Sequence, residues 1–105
     1  MPERERDQAG ETVPPIYANY DAIVASEVAS EIVNRGRGIV YDRIHKLMAA
    51  GDEDGVGRLR AGPAKRLFDL LRSIDYRDPA HVQSVIDTWG PLVQDEAALW
   101  EALDD

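Results

Sequence analysis

Two aspartate–histidine pairs, Asp42 with His45 and Asp78 with His81, hold the side chains best suited to chemistry in this chain. Residues three apart share one face of a helix, so each pair could offer a carboxylate and an imidazole to a metal ion or to a moving proton. Di-metal helical proteins use a Glu-x-x-His version of this spacing on two helices, with further carboxylates from two others. Glu27 or Glu31, and Glu96, would have to supply those carboxylates here. The pattern falls short of that chemistry. Aspartate has a shorter reach than glutamate, Asp78 stands before Pro79 and reads as a helix cap, and Asp42 lies away from the apolar arc of its helix.

Other reactive arrangements fail on spacing. Ser26, Ser30, Ser73 and Ser84 lie in no nucleophile elbow. The chain has no cysteine, which removes disulfides, thiolate metal ligands and a thiol nucleophile. Asp52-Glu53-Asp54-Gly55 resembles a calcium loop only briefly, since Val56 falls at the fifth position and Pro63 at the twelfth, where oxygen ligands are needed. No catalytic, cofactor-binding or metal-ligating residue is assigned, and the chain is read as a non-enzyme.

Charge is the stronger signal. Residues 1–34 carry a net −5, residues 35–77 a net +4, and residues 78–105 a net −7 with no basic side chain. A basic middle between acidic ends can bind the fold together or present surfaces to partners. Arg35, Arg37, Arg43, Arg58, Arg60, Lys65 and Arg66 form the candidate nucleic-acid surface, with Gly36-Arg37-Gly38 allowing close backbone approach. The overall charge of −8 opposes a polyanion. These arginines could equally cover core edges with their stems.

The acidic end suggests a different surface. Glu96, Leu99, Trp100, Glu101, Leu103, Asp104 and Asp105 are expected to form an apolar patch with an acidic rim, matched to a protein with a basic surface. The favoured reading is a small regulator that occupies a partner: an inhibitor, an antitoxin-like neutraliser or an adaptor. A nucleic-acid binder is the competing class, a small enzyme or metal-binding protein the third, and self-association stays open.

These residues must be positioned by helices. No window alternates as a strand does, and apolar residues recur at helical spacing throughout. The expected fold is all-α: a compact four- to five-helix bundle over residues 16–105, preceded by a flexible arm over 1–15. A first helix is expected over 16–34, with Tyr17, Tyr20, Ile23, Val24, Val28 and Ile32 inward. Asn34-Arg35-Gly36-Arg37-Gly38 should break the chain, and a second helix should cover 39–50 with Val40, Ile44, Leu47 and Met48 inward. A loop over 51–62, a third helix opened by Pro63 and running to about Ile74, a fourth opened by Asp78-Pro79, an interruption at Gly90-Pro91 and a last segment over 91–103 complete the reading. No apolar run is long enough to cross a bilayer, and the N-terminus lacks a secretory pattern, so a cytoplasmic protein is expected.

Overall fold

The computed structural model describes residues 20–104 of the 105-residue chain. The expected arm over 1–15, Tyr17 and Asp105 lie outside the described residues. Within them the chain is helical, with short turns and no strand, so the all-α expectation holds there.

Helix α1, Tyr20–Ala49, is a single element of 30 residues. It runs through the break expected at 34–38, and the reason is visible at Gly36. A Cβ there would stand 3.4 Å from the side chains of both Leu67 and Val93. Gly36 is therefore where two other elements press closest to α1. Glycine costs a helix interior roughly 0.5–1 kcal/mol relative to alanine. Val33 and Val40, both buried on either side, offset that cost.

The inward face of α1 agrees with expectation at Val40 and Ile44, which are buried, and at Ile32, which packs against the core. It differs at Tyr20, Val24, Val28 and Met48, which are exposed, while Ala29 and Val33 are buried in their place. One continuous helix ties the phase of its N-terminal half to Val40 and Ile44, and that phase turns Val24 and Val28 outward.

Gly51, at φ 77°, turns the chain in the left-handed conformation that glycine adopts without a Cβ penalty. The expected loop then gives way to helix α2, Glu53–Leu59, capped by Asp52, whose carboxylate accepts the Gly55 N–H at 2.9 Å. A π-helical turn, Arg60–Ala64, joins α2 to helix α3, Lys65–Ser73. Pro63 sits inside that turn and opens no helix. Proline has no N–H and its ring crowds the carbonyl four residues back, and a wider turn relieves both.

Helix α4, Pro79–Leu92, starts as expected: Asp78 accepts the His81 N–H at 3.2 Å, and Pro79 occupies the first turn. It continues through Gly90-Pro91 and ends with Val93 as its C-cap. Helix α5, Glu96–Leu103, opens on a cap by Asp95 and is shorter than the expected segment.

The order of contacts sets the directions. Gly55 lies beside Leu47, and Gly36 beside Leu67, so α2 and α3 run antiparallel to α1. Gly90 lies beside Ile32, and Val93 beside Gly36, so α4 runs parallel to α1. Leu67, Val82, Val85, Trp89, Leu99 and Leu103 join the buried residues of α1 in one core.

Candidate functional site: an arginine–aromatic seam

The residues expected to meet a partner at the C-terminus divide sharply. Leu99 is 0% exposed and Leu103 is 5% exposed, so both belong to the core and neither can anchor a partner. The expected apolar patch is corrected on this point. The expected segment over 91–103 is not one helix: Val93 ends α4, and α5 begins afresh at Glu96 and turns Leu99 and Leu103 inward. Trp100 is half-buried, and the Arg43 guanidinium carbon lies 4.3 Å from its ring centroid. The Trp100 indole N–H points to Glu96 at 3.4 Å. Glu96, Glu101 and Asp104 remain exposed as an acidic fringe without an apolar centre.

The basic residues of the middle segment do not converge on one face. Arg43 covers Trp100, and Arg66 lies 5.3 Å from the Trp89 centroid while donating to the Ala102 carbonyl at 2.7 Å. Lys65 is bound to Asp69 at 2.6 Å. Arg35 lines a groove between α1 and α4 with Glu31, Ile32, Gly90, Val93 and Gln94. Arg58 is exposed on α2. The proposed nucleic-acid set is thereby dispersed, and two of its members serve as covers for tryptophan.

Arg37 and Arg60 belong to a different arrangement, along the seam between α1 and the antiparallel run that packs beside it. The Arg37 guanidinium carbon lies 5.9 Å from the Tyr41 centroid and 5.7 Å from the Phe68 centroid. Arg72 approaches Phe68 at the same 5.7 Å. Phe68 is thus shared by two cations while 44% exposed. Arg37 donates to the Asn34 side-chain oxygen at 3.0 Å, and its buried Nε has no acceptor among the described residues. Farther along the seam, Arg60 reaches the Met48 sulfur at 3.9 Å. Cation–ring attraction holds the guanidinium heads over the aromatic faces and leaves their outer N–H groups available.

Sequence reasoning missed this seam. Tyr41, Phe68 and Arg72 are not among the site residues that the sequence points to. Two Arg/aromatic spacings of four residues, Arg37 to Tyr41 and Phe68 to Arg72, were the signal that could have found it. Nothing in the sequence alone brings the two pairs together across helices.

The aspartate–histidine pairs have other engagements. Asp42 bonds Lys46 at 3.1 Å, and Asp78 caps α4. Among the described residues no three histidine, aspartate or glutamate side chains gather as a metal would require. His81 Nε2 lies 2.8 Å from Ser73 Oγ, while Ser73 Oγ lies 2.6 Å from the Leu70 carbonyl. The Ser73 hydroxyl donates its one proton to the Leu70 carbonyl, so activation of this serine by His81 would first require that bond to break.

Comparison with known proteins finds no matching family model, no matching curated protein and no matching solved structure.

Proposed function

We propose that this chain is a non-enzymatic, cytoplasmic regulator: a compact helical bundle that acts by occupying a partner protein. An inhibitor, an antitoxin-like neutraliser and an adaptor are the forms this takes. The contact surface moves from the C-terminal helix to the arginine–aromatic seam. The observation that carries this reading is Phe68, exposed to solvent and held between Arg37 and Arg72.

Such a surface suits an acidic segment with an apolar anchor. Guanidinium N–H groups receive carboxylates as forked donors, and the aromatic faces of Tyr41 and Phe68 supply desolvated area. The basic-surfaced partner expected from the C-terminal acids loses its apolar contact with Leu99 and Leu103. Nucleic acid is the weaker alternative. The seam has aromatic rings on which bases could stack, but the basic side chains are spread over several faces of an acidic chain. Among the described residues no helix is long and apolar enough to cross a membrane.

Paired affinity capture tests the reading, with the native chain and a Phe68→Ala/Arg72→Glu variant as baits. A protein retained by the native chain and lost from the variant is the expected result. Identical profiles from the two baits count against the seam, and binding of a single-stranded oligonucleotide with steep salt dependence favours the alternative.

A further inference from the structure

The face of α1 that points away from the core is exposed from end to end and is patterned. Val24, Val28, Glu31, Arg35, Gly38 and Asp42 follow alternating steps of four and three residues, and all six are exposed. That spacing sets them on one stripe along the helix, with Val24 and Val28 as its apolar members and Glu31, Arg35 and Asp42 as its charged ones. Val24 and Val28 are 39% and 42% exposed, so two β-branched residues lie on this face without full cover among the described residues.

Charge divides α1 at its midpoint. Tyr20–Asn34 holds Asp21, Glu27 and Glu31 and no base, a net −3; Arg35–Ala49 holds Arg35, Arg37, Arg43 and Lys46 against Asp42, a net +3. The helix macrodipole favours such charges only within the first and last turns. It accounts for Asp21 and Lys46 and leaves Glu27, Glu31 and Arg35 unexplained. Glu31 and Arg35 are one turn apart, yet each remains exposed at the groove they both line.

From these observations we infer that α1 pairs with α1 of a second copy of this chain, antiparallel, about a twofold axis that crosses the outward stripe midway between Glu31 and Arg35. On this face the pairing sets Glu31 against Arg35, whereas a parallel pairing would set Glu31 against Glu31 and Arg35 against Arg35. Glu31 meets Arg35 of the second copy, and Asp21 meets His45. Val28 falls opposite Gly38.

Gly38 is the independent support. It lies inside a helix, with nothing among the described residues within 4 Å of where its Cβ would stand, so no contact among them requires glycine there. A helix backbone that another helix approaches closely does require it. Asp42, opposite Val24, is the one position without a complement, and its 3.1 Å bridge to Lys46 engages its charge within its own helix. This surface lies on the outward side of α1, around the helix from Arg37 and Tyr41, and does not depend on the proposed function.

Sedimentation equilibrium of the full chain tests the inference, with Gly38→Leu, Glu31→Arg and the exchange Glu31→Arg/Arg35→Glu as variants. The native chain should show a concentration-dependent dimer. Gly38→Leu should retain or raise helix content by circular dichroism while weakening the dimer roughly tenfold or more. Glu31→Arg should weaken it similarly, and the charge exchange should restore it, because only an antiparallel pairing sets position 31 against position 35. A chain that stays monomeric to about 1 mM, the weak end of specific association, overturns the inference. So does a dimer indifferent to Gly38→Leu, or one that the exchange fails to restore.

Discussion

The Arg43 guanidinium carbon lies 4.3 Å from the Trp100 ring centroid, tying α1 to α5. A cation at that distance from an indole contributes about 0.5–1 kcal/mol where the site is partly exposed. A double-mutant cycle with Arg43→Ala and Trp100→Ala, followed by urea unfolding, should give a coupling of about that size. Strict additivity of the two substitutions would remove this role for Arg43.

Leu99 anchors α5 from within the core. Leu99→Ala should lower stability by about 2–5 kcal/mol, while Glu101→Gln on the exposed side should stay within about 0.5 kcal/mol of the native chain. Ending the chain after Gly90 removes Val93, Leu99 and Leu103 from the core together. The truncated chain should unfold at markedly lower urea, so loss of binding by it would report loss of fold.

Gly55 and Gly57 should respond in opposite directions to alanine. A Cβ at Gly55 would stand 2.5 Å from an Asp52 carboxylate oxygen, expelling the side chain that caps α2, whereas nothing lies within 4 Å of a Cβ at Gly57. Gly57→Ala should stabilise the chain by roughly 0.5–1 kcal/mol, through helix propensity alone. Gly55→Ala should fall below it by about 1 kcal/mol, the usual worth of a lost cap. Thermal unfolding of the two variants side by side checks the order.

Asp75 should titrate below the ordinary aspartate range. The Arg77 side chain donates to both carboxylate oxygens, at 3.0 and 2.9 Å, and the Arg77 backbone N–H adds a third bond at 2.9 Å. The side-chain bonds are the larger cause of the depression, and the backbone bond follows. With the folded pKa depressed, the pair's contribution is present above the unfolded pKa and is lost as pH falls through the folded one. Carboxyl-carbon NMR should show the Asp75 midpoint rising in Arg77→Gln, and an unmoved midpoint would contradict the assignment.

Much of this architecture was legible residue by residue. Asp78-Pro79 declared a helix start because a carboxylate and a missing N–H each solve a backbone problem that every helix N-terminus has. Val82, Val85 and Trp89 declared a buried face by spacing alone. Gly36 and Gly90 misled for one shared reason: local propensity reads glycine as a break, and tertiary packing uses it as a place to approach. The candidate seam was half legible. Arg37 and Tyr41 share one helix, as do Phe68 and Arg72, but Phe68 comes between two arginines only because α3 runs antiparallel beside α1. That relation is set by the turn at Gly51 and by the contacts at Gly36, far from Phe68 in sequence.

The wide turn at Arg60–Ala64 has a further consequence. It stores slack, since more chain is wound into each unit of rise there than in the regular helix on either side. Losing a single residue from it would bring the turn to ordinary pitch with the helix downstream nearly in phase, because five residues at the wide pitch turn through about the same angle as four at the ordinary one. Losing one from the first turn of α3 instead would rotate everything downstream by on the order of 100° about the axis and swing Phe68 off its two cations. The five residues of the wide turn are therefore the place where the second rod can give up length and still keep its bearing.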